Sequence, residues 1–79
     1  MRPVTARQAV NRLDRSAVTI RQWARCYTAL TLDKTGRDVV YDFDNLATIE
    51  GCIWRGEPVP ATPEDRAELR AELARQAAA

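Results

Sequence analysis

Val18, Thr19, Arg21, Gln22 and Arg25 all fall in the short stretch SAVTIRQWARC, residues 16–26. Together they offer methyl groups, two forked guanidiniums and a primary amide. A guanidinium matches a phosphate or the paired acceptors on a guanine edge, an amide matches adenine, and a methyl packs on the thymine methyl. This is the chemistry of recognition rather than of bond making. The chain contains no histidine, which removes the commonest general base and metal ligand. It also lacks a phosphate-cradling glycine loop and a close thiol pair. Cys26 and Cys52 therefore read as separate thiols. Asp42 and Asp65 read as helix caps or first-turn acids rather than as an acid–base pair. No enzymatic activity, catalytic residue, cofactor or metal is expected.

These side chains need a helix to carry them, and the sequence supplies its signals. Ser16 is a candidate N-cap for a helix over about residues 17–27. Ile20, Trp23, Ala24 and Tyr27 recur at helical spacing and form the inward stripe. At about 100° per residue, Val18, Gln22 and Arg25 then point nearly opposite Ile20, with Thr19 and Arg21 on the flanks. Upstream, Thr5 with Gln8 forms a capping box for a first helix, whose apolar face is Ala6, Ala9, Val10 and Leu13. Asp14-Arg15 makes a brief connection between the two.

Downstream, Leu30 and Leu32, then Val39 and Tyr41, alternate with polar residues around Lys34-Thr35-Gly36-Arg37. This pattern predicts a small β-hairpin with a cationic tip and a glycine at positive φ. Such a hairpin is marginal alone, so its apolar face should lie on the helices. Asp42 is a candidate cap for a third helix from Phe43, ending at Gly51 or continuing to Trp54. Residues 55–61, RGEPVPA, read as a linker. Thr62-Pro63-Glu64-Asp65 opens a last helix over residues 62–79, with a thin apolar stripe of Leu69 and Leu73. The expected fold is mainly α with a small β-hairpin. It comprises a winged helix-turn-helix over residues 1–54, the linker, and the C-terminal helix, docked or partner-binding.

The chain has 79 residues and a net charge of +1, but the charge is unevenly spread. Residues 1–37 carry eight cations against two carboxylates, and residues 38–79 carry four against nine. Such asymmetry points to a polyanion-binding face in the first half. No apolar run is long enough for a membrane span and no secretory signal is visible. A cytoplasmic, nucleoid-associated location is expected.

TARQAVNRLDRSAVTIRQWARC followed by DKTGRDVVYDFDNL resembles the MerR-like winged helix-turn-helix domain of small phage excisionases and transcription regulators. The combination of TIRQW (Thr19–Trp23) with GRDVVYDFDNL (Gly36–Leu46) carries the resemblance, over about residues 4–50. It implies that Ser16 through Arg25 form a recognition helix, that Arg21 contacts the DNA backbone or a base, and that Lys34–Arg37 is the tip of a wing. Two features depart from the family. Asp14-Arg15 replaces the usual small and apolar turn residues, making Arg15 a further phosphate contact. The long dimerisation helix and effector domain of full-length members have no counterpart, so effector sensing is not implied.

The residues and the resemblance point to a sequence-specific double-stranded DNA binder, a transcription regulator or a recombination directionality factor. Ser16, Val18, Thr19, Arg21, Gln22 and Arg25 would read the major groove. Lys34, Thr35, Gly36 and Arg37 would meet the backbone or minor groove, and Thr5, Arg7 and Arg15 would contact phosphates. A domain this small makes few base contacts, so a homodimer or a cooperative array on DNA is expected. The alternative is a protein-interaction adaptor with the same fold, such as a phage DNA-packaging component, engaging its partner through Trp54, Leu69 and Leu73.

Overall fold

The computed structural model describes residues 2–36 and 38–78. In chain order its elements are β1 (Pro3–Thr5), α1 (Ala6–Leu13), α2 (Ala17–Cys26), β2 (Thr31–Thr35), β3 (Asp38–Asp42), α3 (Phe43–Arg55) and α4 (Pro63–Ala78). Two helices joined by a tight turn, then a β-ribbon and further helices, make a winged helix-turn-helix with an appended C-terminal helix.

Both predicted caps of the helix pair form. The Gln8 amide donates to Thr5 Oγ1 at 3.2 Å and the Thr5 amide donates to Gln8 Oε1 at 2.9 Å, a complete capping box. Ser16 Oγ accepts the Thr19 amide at 3.2 Å and opens α2. Between them Asp14 turns the chain with φ 54°, and its amide closes onto the Val10 carbonyl. Asp is one of the few residues that tolerates this left-handed conformation, so no glycine is needed in the turn.

The core lies where the sheet, α1, α2 and α3 converge. Val4, Ala9, Leu13, Ile20, Ala24, Leu46 and Ile49 are buried there, with Trp23, Tyr27 and Tyr41 packed partly buried around them. Alanines at the buried positions of α1 and α2 put little bulk between the two helices. The outward set on α2 takes no part in this packing.

The expected two-stranded hairpin is one part of a three-stranded antiparallel sheet of order β1-β3-β2. Val4 pairs with Tyr41 and Thr5 with Val40, while Lys34 pairs with Val39 and Thr35 with Asp38. The extra strand supplies the support that an isolated hairpin lacks. At three residues it is too short to show an alternating pattern, and Pro3 is tolerated only because it opens an edge strand.

Helix α3 runs through Gly51 to Arg55 and stops at Gly56, whose φ of 70° supplies the left-handed cap. Burial of Leu46, Ile49 and Cys52 outweighs the cost of about 1 kcal/mol for a glycine inside a helix. The expected Asp42 cap is corrected. Asp42 occupies the N-cap position but makes no capping bond, and its Oδ1 instead accepts the Arg2 amide at 3.2 Å. Thr62 does cap α4, accepting the Asp65 amide at 3.1 Å. The first turns of α4 rest on α3, and every described residue from Arg70 onward is exposed. The molecule is correspondingly long, 42 × 23 × 22 Å.

Candidate nucleic-acid interface

Helix α2 presents two different sides. Ile20 and Ala24 are buried, while Val18, Arg21, Gln22 and Arg25 are exposed and line one shallow surface groove of about 320 Å³. Val18 keeps 65% of its surface exposed, so its methyl groups are available on this face. Ser16 caps this end of the helix, and its hydroxyl also donates to Thr19 Oγ1 at 2.9 Å. Both hydroxyls therefore serve the helix start before any ligand.

Arg21 also borders a second cleft, of about 150 Å³, with Thr5, Ala6, Asp38, Val39 and Tyr41. The fold thus brings three separate sequence positions together: the cap of α1, the flank of α2 and the base of the wing. Arg7 is exposed on α1, close in sequence to that cap.

The wing is the β2–β3 ribbon. Lys34 is exposed, and Gly36 takes φ 60° at the turn with open space where a Cβ would stand. The glycine is there for its backbone conformation alone. Arg37 and the side chain of Thr35 lie outside the described residues. The ribbon is less uniformly cationic than a count of its basic residues suggests. Asp38 stands opposite Thr35, and Asp33, which accepts the Lys34 amide at 2.7 Å, flanks Lys34.

Arg15, an expected phosphate contact, also has partners within the fold. Its Nη2 meets Glu50 Oε1 at 3.4 Å and its guanidinium lies 5.7 Å from the Trp23 ring centroid. Its Nε is buried without a hydrogen-bond partner. Arg15 therefore links the turn to α3, with its side chain 37% exposed. Glu50, which interrupts the apolar face of α3, has its explanation in the same pair.

The cations divide into two populations. Arg2 and Arg70 share the Asp44 carboxylate, and Arg55 pairs with Glu57 and Arg75 with Glu72. Among the described residues Arg7, Arg21, Arg25 and Lys34 form no ion pair. Arg12 also forms none, and its guanidinium stacks 4.4 Å from the Phe43 centroid, with Arg2 at 4.9 Å from the same ring. The two guanidiniums on Asp44, Arg2 foremost through its hydrogen bond, hold that carboxyl below the ordinary carboxylate value.

No protein-family model, curated sequence or solved structure matches the chain.

Three buried polar residues give no clear signal in the sequence: Arg66, Asn45 and Thr48, whose hydroxyl donates to the Asp44 carbonyl at 2.8 Å. Arg66, on the first turn of α4, is completely buried, and Asn45, on α3, is 5% exposed. Burial pulls the Arg66 pKa down from its ordinary value, partly opposed by the nearby Glu64. In a chain with eleven arginines, nothing in the sequence separates this one from its solvated neighbours. The weak signal was Asn45, a polar residue between Phe43 and Leu46 in an otherwise apolar helical face.

The described residues contain no cluster of three or more acidic, cysteine or histidine side chains able to hold a metal ion. Among them, too, no helix is long and apolar enough to cross a membrane. Cys26 is exposed and Cys52 buried, both as free thiols.

Proposed function

We propose that this protein binds double-stranded DNA sequence-specifically, with α2 in the major groove and the β2–β3 wing on the backbone or in the minor groove. One observation carries the reading: the outward cations of α2 and the wing have no carboxylate partner among the described residues, while those of α3 and α4 do. Unpaired arginines on an exposed helix face are free to donate to phosphates or guanine edges without first breaking an ion pair. Gln22 and Val18 add an amide for adenine and a methyl contact for thymine. Arg7 and the Thr5 end of α1 supply phosphate contacts. The acidic α3–α4 side faces away from DNA and limits non-specific binding.

The resemblance of residues 4–50 to the MerR-like winged helix-turn-helix domain supports the same reading. It narrows the role to transcription regulation or to directionality in site-specific recombination, as an excisionase. Tight binding then requires a homodimer or a cooperative array on repeated sites. The working location is the nucleoid.

A gel-shift titration against salt tests this. Affinity should fall with salt at a slope of about −0.9 per phosphate neutralised. Absence of binding to any duplex at low salt would overturn it. Selection of bound duplexes from a random pool then separates the roles: single palindromes indicate a dimeric regulator and direct repeats an array.

A protein-interaction adaptor is the second reading. It is favoured by Trp54, 75% exposed on α3, by Leu73, 41% exposed on α4, and by the half-buried Leu69 nearby. Under it, replacing Arg21 and Arg25 with alanine leaves function intact.

A further inference from the structure

We infer that Arg66 is a positioning residue that fixes the recognition helix relative to the wing, acting from the C-terminal helix through the joint between them. This rests on the DNA-binding reading above and names the residue that sets its geometry.

The joint is the segment between Cys26, the end of α2, and Thr31, the start of β2. Arg66 reaches into it from α4. Its Nη2 donates to the Thr28 carbonyl at 2.8 Å, its Nη1 to the Pro60 carbonyl at 2.8 Å, and its Nε to Asn45 Oδ1 at 3.1 Å. Asn45 Oδ1 also accepts the Leu30 amide, at 3.0 Å. One guanidinium thus ties the residue just beyond the recognition helix directly and the residue just before the wing through a shared acceptor. The same fork holds the strap that leads into α4.

Two further observations show that this is more than a packing contact. Thr28 has φ 52°, a left-handed conformation that a β-branched residue rarely adopts. Such a conformation persists only where its surroundings over-determine it, and here the strained residue's carbonyl is one of Arg66's acceptors. Second, none of the partners is a carboxylate, so a charge is buried for neutral acceptors alone. An apolar residue would hold α4 on α3 at lower desolvation cost. What the guanidinium adds is direction: a rigid planar fork that fixes three segments at once.

The test compares wild type, Arg66→Met and Arg66→Lys, each also carrying Lys34→Ala, in duplex binding across a salt series. In the wild-type background Lys34→Ala should lower the salt slope by about 1. Arg66→Met should weaken binding by about ten-fold and lower the slope by about the same 1, because the wing loses its register on the backbone. Lys34→Ala should then cost nothing more. Arg66→Lys should not rescue, since one ammonium cannot span the three acceptors. Additive effects of Arg66→Met and Lys34→Ala, or rescue by lysine, would overturn the inference.

Hydrogen exchange on the wild-type protein provides an arm that needs neither variant folding nor DNA. The Leu30 amide should open together with the first turn of α4, as one cooperative unit. Independent exchange at Leu30 would equally overturn the inference. If wild type binds no duplex while Leu30 and α4 open together, the DNA reading fails and the coupling stands.

Discussion

Helix α2 and helix α4 both carry arginines on exposed faces, yet they use them in opposite ways. On α2, Arg21 and Arg25 stand beside Gln22 and Val18, and no described carboxylate pairs with them. On α4, Arg70 reaches back to Asp44, Arg75 bridges to Glu72, and Arg66 is withdrawn from solvent altogether. The contrast follows from neighbours. Residues 38–79 carry nine carboxylates and four arginines, while the first 37 residues have two carboxylates for eight cations. The same residue type becomes a stitch in one place and an available donor in the other.

The sharpest way to break this contrast is to remove donors on each side. Replacing both Arg21 and Arg25 with alanine should weaken duplex binding by about 30-fold or more, at about 1–3 kcal/mol for each guanidinium removed. Thermal stability should stay within about 0.5 kcal/mol, since neither side chain packs on the core. Binding by gel shift and melting by circular dichroism check the two halves of that statement. A melt that collapses with the binding would mean that α2's outer face is structural after all.

Next in size is the Ser16 cap. Ser16→Ala should cost about 1 kcal/mol of stability in denaturant titration, because the Thr19 amide loses its acceptor. Arg70→Ala, on the paired side, should cost less than about 1 kcal/mol and change duplex affinity by less than about two-fold. A large affinity loss there would erase the distinction between the two helices.

The smallest effect is pH-dependent. Asp44 has its pKa lowered in the folded protein, so it is more readily ionised folded than unfolded. Its contribution to stability is present above the ordinary value of 3.8 and is lost as pH falls through the depressed one. Denaturation midpoints of wild type and Asp44→Asn should differ near neutrality and converge in acid. A gap that widens in acid would refute the assigned Arg2 and Arg70 ion pairs.

Local signals were legible where a short stretch of chain settles its own structure. Thr5 with Gln8, Ser16, Gly36 and the Thr62-Pro63 start each act within a few residues, and each reappears in the fold. The inward stripe of α2 was equally plain, because Ile20 and Ala24 recur at helical period. Features that depend on distant partners were not. Strand β1 exists only because β3 offers it an edge. Asp42 looked like a cap because nothing local revealed that the Arg2 amide would claim its oxygen. The pairing of Arg15 with Glu50 was hidden because the two lie thirty-five positions apart. In the candidate interface, the residue types were readable but the carboxylates interleaved on the wing mattered only once the strand register was known.

The two left-handed residues at either end of α2, Asp14 and Thr28, have a consequence for how this protein could change over time. The helix is capped by Ser16, these two backbone reversals flank it just beyond its ends, and its seat is held by Ile20 and Ala24. Positions 18, 21, 22 and 25 are therefore a replaceable cassette: randomising them should yield many folded proteins that differ only in that outer face. If α2 reads DNA as proposed, a lineage carrying this scaffold could change its target by single substitutions, without passing through unfolded intermediates.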